Sequence, residues 1–244
     1  MKIFCETDTG KTRDVNQDAY MAKILDDSTA FAVVCDGMGG AQAGNIASSL
    51  AVKALYDYVV RSWQSDMNDL QIKNLLCSAV MSANVEVYDC AMRDEEFKGM
   101  GTTVVAVVMK ENIAHIVHVG DSRAYLMRNS VLSQITTDHS MVQKMIDSGQ
   151  LTADEARLHP KKNVITRALG VDEDVNIDYN ELSCEDGDVV LVCTDGLSNM
   201  LSNEEIVKIF ENSDLEKTAS ALVSEANSNG GIDNITAVLI SNIK

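Results

Sequence analysis

The chain of 244 residues has a formal net charge of -17, and 45 % of its residues are hydrophobic while 23 % are charged. This is the composition of a folded globular protein, long enough for one domain with a substantial core. The excess of acids argues against nucleic acid and membrane surfaces as partners, and the N-terminus lacks the apolar segment of a secretory signal, so we expect a cytoplasmic protein.

The predicted elements alternate between short β-branched runs and longer amphipathic segments. Runs of strand length are rich in Val, Ile and Thr, whereas the helical segments repeat apolar residues at a spacing of three or four. Two short helices are announced by capping boxes, in which a Ser or Thr precedes a Glu by three residues. In chain order we predict strand 31–35, helices 42–62 and 68–92, strands 102–109, 114–119 and 123–128, a helix after Thr152, strand 189–194, a helix after Ser202, helix 215–227 and strand 235–240.

The links between several predicted strands are short. The segments "KEN" at 110–112 and "NS" at 129–130 leave room for hairpins but not for parallel crossovers. The pattern therefore predicts an α+β protein with helices packed on antiparallel sheets. We find no linker and expect one domain over 1–244, with a polar peripheral lobe that begins near Asp138 and contains Pro160.

The cysteines give no sign of a disulfide framework or a zinc site. The six cysteines form no Cys-x-x-Cys pair, and no histidines stand at metal-finger spacing. Cys35 and Cys193 lie within apolar runs. We therefore expect buried, reduced thiols.

Four acids lie at the ends of predicted strands. Asp36 and Asp195 each follow an apolar run and precede a glycine, Asp121 follows "IVHVG", and Asp233 precedes the last strand. A single Asp-Gly pair is an ordinary turn signal. Four carboxylates at one sheet rim, however, repel one another unless a cation neutralises them. All-oxygen ligands favour Mg2+ or Mn2+ over zinc.

Two glycine-containing segments raise the alternative of a nucleotide site. The segment 37–42 ends in Gln where the dinucleotide fingerprint needs a small residue, and no acid follows at the required distance. The "TGKT" at 9–12 lacks the first glycine of a P-loop and a following helix. Both nucleotide interpretations fail on spacing.

Eight motifs together carry a family resemblance. In chain order they are "RDVNQD" (13–18), "DGMGG" (36–40), "GTT" (101–103), "VGDSRAY" (119–125), "TTDHS" (136–140), "TRALG" (166–170), "TDGL" (194–197) and "GGIDNITAVL" (230–239). In order and spacing they resemble the bacterial members of the metal-dependent serine/threonine phosphatases, the PPM or type 2C family. The resemblance spans nearly the whole chain. It implies a four-layer α-β-β-α sandwich of two antiparallel sheets flanked by helices, with a small flap lobe at about 138–170.

The resemblance also implies a binuclear metal centre at one edge of the sandwich. Asp36 matches the acid that bridges the two ions, and Asp195 and Asp233 match the acids that complete one site. The Gly37 carbonyl and Asp18, the latter mainly through water, match the ligands of the other site. The expected cofactors are two Mn2+ or Mg2+ ions.

Further site residues follow from the same resemblance. Asp121 matches the acid that, with Asp195, holds a third ion in bacterial relatives, and Arg13 matches the arginine that binds the substrate phosphate. Asn234 neighbours a ligand and is expected to support it. Many eukaryotic relatives have a histidine, proposed as a proton donor, where this chain has Met38. We leave His139 out of the catalytic set, because an isolated histidine is usually a structural hydrogen bonder.

The implied activity is hydrolysis of phosphoserine and phosphothreonine by in-line attack of a metal-bridging hydroxide. The expected partners are phosphorylated proteins and a Ser/Thr kinase whose signalling the protein opposes, and we expect a monomer. One alternative is a pseudophosphatase or phosphoprotein-binding regulator, which the loss of an acid ligand would indicate. Another is a small-molecule phosphohydrolase on the same fold, which the sequence leaves open.

Overall fold

The computed structural model describes residues 1–40, 43–93 and 95–242. Its elements alternate as the sequence pattern indicates, and a 3-10 turn at Glu95–Phe97 follows the second helix. The strands are β1 (Lys2–Asp8), β2 (Asp18–Asp26), β3 (Thr29–Met38), β4 (Gly101–Thr102), β5 (Val104–Lys110), β6 (Ile113–Val119), β7 (Arg123–Arg128), β8 (Val131–Gln134), β9 (Asp178–Ser183), β10 (Val189–Cys193) and β11 (Ile235–Ser241). The helices are α1 (Ala43–Ser62), α2 (Asp69–Arg93), α3 (Met141–Asp147), α4 (Ala153–Leu158), α5 (Asp195–Ser198), α6 (Asn203–Asn212) and α7 (Leu215–Ser228).

The strands form two antiparallel sheets. One sheet has the order β1-β11-β10-β7-β8, and the other has the order β2-β3-β5-β6-β9 with β4 paired to β3. One apolar cluster lies between the sheets, a second lies under α1 and α2, and a third lies under α5, α6 and α7. The predicted α+β sandwich of two antiparallel sheets flanked by helices is confirmed.

The central strands explain why the sequence shows continuous apolar runs rather than alternation. Seven of the ten residues of β3, and the first six of β5, are consecutive buried positions. A strand that is covered by a helix layer on one face and by a second sheet on the other buries both of its faces. Such strands were the ones that the sequence pattern found.

The predicted ranges leave out four strands, and all four are sheet edges. β1 and β8 flank one sheet, and β2 and β9 flank the other. Their residues are mostly half-buried or exposed, so they lack the apolar runs of the central strands. The sequence pattern missed them because an edge strand with one exposed side tolerates polar residues.

Several predicted boundaries shift in the structure. The strand predicted over 31–35 extends to Thr29–Met38, and the one predicted over 102–109 is divided at Thr103 into β4 and β5. The predicted start of the first helix at Gln42 lies outside the described residues. Both capping boxes are present, on α4 and on α6.

The predicted hairpins are confirmed. The β5–β6 and β7–β8 pairs are antiparallel, and the second is closed by Asn129 and Ser130 with φ of 49° and 60°. Two successive residues with positive φ are the signature of the hairpin turn whose twist suits adjacent strands.

The segment 138–170, called the flap segment below, contains α3 and α4. Its two ends meet in an antiparallel bridge between Ser140 and Ile165, and Leu169 pairs with Thr102 at the end of β4. Among the described helices, none is both long and apolar enough to cross a bilayer.

Candidate active site

Five carboxylates meet at one end of the sandwich. Asp18 begins β2 and is the cross-strand partner of Asp36 in β3. Asp195 follows β10 and Asp233 precedes β11, so the antiparallel pairing of these strands brings both to the same edge. Asp121 follows β6. All except the buried Asp18 line one cavity of about 470 Å³.

Asp18 is held by hydroxyl groups from the neighbouring sheet. Its Oδ2 accepts hydrogen bonds from Thr194 Oγ1 at 2.8 Å and Thr236 Oγ1 at 2.7 Å. Its Oδ1 is buried and has no hydrogen-bond partner among the described residues. Burial raises the pKa of Asp18 to about 7. A buried carboxylate oxygen without a donor is costly, so the position suits a bound cation.

The pKa values of the neighbouring acids are also raised. Burial, followed by the charges of Asp18 and Asp195, raises the pKa of Asp36 well above its ordinary value. Burial and Asp195 raise the pKa of Asp121 to about 8, and burial and Asp233 raise that of Asp195. Each acid is therefore costly to ionise beside the others. Oxygen donors in such a cluster match the ligand preference of Mg2+ and Mn2+.

Gly37 is the last residue but one of β3 and lies against Gly44 of α1. A Cβ built on Gly37 would lie 1.9 Å from the carbonyl oxygen of Gly44, so no side chain fits there. Its N–H donates to the Gln17 carbonyl at 3.1 Å. Gly39 and Gly40, with φ of 123° and 90°, complete a turn that other residues rarely adopt. The glycines of "DGMGG" thus position the backbone beside Asp36.

Two threonines of the "GTT" motif hold the backbone of Asp36. The Asp36 N–H donates to Thr103 Oγ1 at 2.9 Å, and its carbonyl accepts from Thr102 Oγ1 at 2.8 Å and from the Thr103 N–H at 2.9 Å. Thr103 Oγ1 also lies 2.7 Å from Ser122 Oγ, next to Asp121. Sequence reasoning recognised the motif but did not assign it this task, because the bonds join residues more than 60 positions apart.

Arg13 lies at the mouth of the cavity. Its side chain is 48 % exposed, and its Nη2 lies 2.9 Å from Asp233 Oδ2. This hydrogen bond is the main cause that raises the pKa of Arg13 above its usual range. The ion pair places a permanently charged, forked donor beside the acid cluster.

Asn234 joins the Arg13 loop to the acid cluster. Its Oδ1 accepts from the Gln17 N–H at 2.8 Å, and its Nδ2 donates to the carbonyls of Thr9 at 2.8 Å and Val15 at 3.0 Å. A single buried amide therefore spans the loop between β1 and β2. This geometry is that of a supporting residue beside Asp233.

His139 lies behind the Asp121 loop and is not among the residues that line the cavity. Its Nδ1 accepts from the Gly120 N–H at 3.1 Å, and its Nε2 lies 3.2 Å from Asp178 Oδ2. His139, His118 and Asp178 offer ligand atoms within 4.8 Å of one another. However, Arg167 Nη1 lies 3.0 Å from His139 Nε2 and donates to Asp178 Oδ1 at 2.7 Å, so a guanidinium cation already pairs with the ligand atoms of this cluster.

The cavity also has walls that sequence reasoning did not identify. Asn163 and Ile165 of the flap segment line it, together with Asp14, Val15 and Met38. No motif marks Asn163 or Ile165, since their place depends on how the flap segment returns to the sandwich.

The chain is similar to known phosphatases over nearly its whole length. The chain matches the family described as Protein phosphatase 2C over residues 9–233. It is 37 % identical over 238 residues to the serine/threonine phosphatase stp of Listeria monocytogenes serovar 1/2a, which covers 96 % of this chain and 93 % of that protein. The Mycobacterium tuberculosis serine/threonine phosphatase PstP/Ppp superposes with a TM-score of 0.90 at 33 % identity, with 100 % and 99 % of the two chains covered. The PstP catalytic domain in complex with two manganese ions has a TM-score of 0.87 at 32 % identity, with coverage of 100 % and 98 %.

The chain therefore belongs to the protein phosphatase 2C family, whose members are metal-dependent phosphatases. The resemblance inferred from the eight motifs is confirmed, and so is the prediction of a phosphatase at the level of the family.

Proposed function

We propose that this protein removes phosphate from phosphoserine and phosphothreonine residues of other proteins in a metal-dependent reaction. The observation that carries the proposal is the gathering of five carboxylates beside an exposed arginine, with one buried oxygen of Asp18 that has no partner among the described residues. A phosphate dianion would be repelled by such a cluster alone. The cluster therefore suits a phosphate that binds at cations, whether these are already held by the acids or enter with the substrate.

The proposed cofactors are two Mn2+ or Mg2+ ions, with a third at Asp121. Asp36, Asp195, Asp233 and Asp18, with the Gly37 carbonyl, are the proposed ligands of the two core ions. Their oxygen chemistry and raised pKa values support this assignment, as do the two manganese ions in the similar PstP domain. When bound, divalent ions supply positive charge for the phosphate and lower the pKa of water toward neutrality.

The protein's own residues supply binding and position. Arg13 presents two or more N–H donors to phosphate oxygens, and its pairing with Asp233 keeps the guanidinium at the cavity mouth. Thr102 and Thr103 hold the Asp36 backbone in place. The Met38 side chain has no dissociable proton, so the leaving alkoxide takes its proton from another group.

The test is an assay of the purified protein with a phosphothreonine peptide, with and without Mn2+. We expect phosphate release that requires Mn2+, stops with a chelator and is lost in Asp233→Asn. Release from an aryl phosphate but from no phosphopeptide would instead favour a small-molecule phosphohydrolase. Binding of a phosphopeptide without release would favour a pseudophosphatase.

The proposal extends to the setting of the reaction. We propose one catalytic domain over 1–244 that includes the flap segment, acting as a cytoplasmic monomer against a cognate Ser/Thr kinase. The continuous family match over 9–233 supports the single catalytic domain, and the phosphatase names of the relatives support a phosphoprotein substrate. Light scattering after size exclusion should give the mass of one chain; twice that mass would contradict the monomer.

A further inference from the structure

Apolar side chains from three separate chain segments stand on the walls of the acidic cavity. Val15 lies in the loop before β2, Met38 ends β3 and Ile165 belongs to the flap segment. Val15 is 42 % exposed. Isolated apolar residues are normal on a protein surface, but these three share one cavity with the carboxylates. Neither metal ligation nor phosphate binding uses an apolar wall.

A fourth apolar side chain, Val171, lies near Met38 but is not among the residues that line the cavity. A Cβ built on Gly101 would lie 2.8 Å from Met38 Cε and 3.0 Å from Val171 Cγ2, so both side chains pack against Gly101. Val171 is 46 % exposed. We call Val15, Met38, Ile165 and Val171 the apolar collar.

The backbone of the collar is held by hydrogen bonds. The Val15 carbonyl accepts from Asn234 Nδ2 at 3.0 Å, and Ile165 pairs with Ser140 in a bridge. Next to Val171, the Gly170 N–H donates to Asn84 Oδ1 in α2 at 2.8 Å. A partly exposed apolar surface on a fixed backbone can bind an apolar group without first losing the conformational entropy of a flexible loop.

We propose that the apolar collar binds apolar side chains that flank the phosphorylated residue of a polypeptide substrate. The inference rests on the proposed function and adds to it a preference for phosphosites with neighbouring Leu, Ile, Val or Phe. In the proposed function the substrate phosphate binds at Arg13 and at the cations held by the acid cluster, so the adjoining chain has to cross the rim of the same cavity. Flanking residues of an extended peptide lie about 3.3 Å per residue from the phosphorylated one, which places their side chains within reach of the collar. Their burial there removes apolar surface from water.

The test is a double-mutant cycle between enzyme and peptide, performed with the Mn2+-loaded protein. Two phosphothreonine peptides differ only in having Leu or Ala on both sides of the phosphothreonine. They are assayed with the wild-type protein, with Val171→Ala combined with Ile165→Ala, and with the matched control Val131→Ala. Val131 on β8 is 59 % exposed and is not a cavity residue.

We expect the wild-type protein to favour the Leu peptide in kcat/KM by about tenfold. The collar double variant should reduce this preference to about twofold, and the control variant should keep it at the wild-type level. Thermal unfolding of each variant verifies that it is folded.

Two results would overturn the collar proposal while leaving the phosphatase proposal in place. One is hydrolysis of both peptides by the wild-type protein at equal kcat/KM. The other is a preference for Leu that persists unchanged in the collar double variant. Failure to hydrolyse either peptide, with p-nitrophenyl phosphate still hydrolysed, would overturn the proposed protein substrate and the collar's role together.

Discussion

Strand β10 has an acid directly before it and another two residues after it, and the two acids have opposite surroundings. Asp188 is 2 % exposed and accepts hydrogen bonds from Arg128 Nε at 3.0 Å and from the Glu185 N–H at 2.7 Å. Asp195 accepts a hydrogen bond from Asn199 Nδ2 at 3.0 Å and lies among other carboxylates.

The partners of each carboxylate distinguish a structural acid from a proposed metal ligand. The Asp188 carboxylate is bound by Arg128 and by one backbone N–H, so its charge is balanced without any bound ion. Burial and the nearby Asp233 raise the pKa of Asp195 and disfavour its ionised form, which fits its proposed role as a metal ligand. Substitutions and pH changes at the two ends of β10 can test this contrast.

The largest effect should follow from neutralising a core acid. Asp36→Asn should lower turnover of an aryl phosphate with Mn2+ by about a thousandfold, because several kcal/mol of transition-state stabilisation depend on the bound ions. Asp233→Asn should act similarly. Asp186→Asn, an exposed acid at the other end of β10, is the control and should keep full turnover. Undiminished turnover in Asp36→Asn would refute the metal assignment.

The second effect concerns pH. In chelator, the folded protein holds protons on Asp18 and Asp121, whose pKa values are raised to about 7 and about 8, whereas the unfolded chain releases them near 3.9. Between these values the folded state binds more protons, so its stability must fall as pH rises. We expect a loss of about 4 kcal/mol from pH 6 to pH 8, measured by urea unfolding. Saturating Mn2+ should abolish most of this loss; an equal loss with Mn2+ would contradict the interpretation.

The third prediction applies one substitution to both ends of β10. Asp188→Asn should lower the free energy of unfolding by about 2 kcal/mol, because the charge-assisted bonds from Arg128 are lost. Asp195→Asn in chelator should instead raise it, because an amide removes repulsion from the cluster. Urea unfolding of both variants at pH 8 provides the measurement. Changes of the same sign would remove the distinction between the two acids.

The smallest effect should come from Asp121→Asn. Because this acid is assigned to the third ion alone, turnover should fall by only about tenfold, and calorimetric titration should still detect the two core ions. Loss of all metal binding would instead place Asp121 within the core site.

The central strands and the acids at their ends could be predicted from the sequence because each depends on local pattern. In strand β3 a run of buried residues is followed by Asp36-Gly37. The order of the motifs along the chain is specific to one family. The edge strands β1, β2, β8 and β9 could not be predicted in this way, since pairing on one side only leaves little trace in residue type.

The supporting contacts of the site were beyond sequence reasoning for a related reason. Thr194 and Thr236 bind the same oxygen of Asp18 although they lie 176 and 218 residues from it along the chain. Nothing in the local pattern of either threonine indicates that partner. The same holds for Ile165 and Val171, whose neighbours in the collar come from other segments.

The α+β class, the central strands and four strand-end acids were already legible in the sequence, because apolar runs and the residues that end them are local properties. The order of the eight motifs added the family, and with it Asp18. The folded structure was needed to show that Asp18 Oδ1 has no hydrogen-bond partner among the described residues, and that Asp188 pairs with Arg128 whereas Asp195 lies among carboxylates. It also places Val15, Met38 and Ile165 in one cavity, with Val171 packed near Met38. Those features depend on distances between residues far apart in the chain, which antiparallel pairing and sheet packing set when the chain folds.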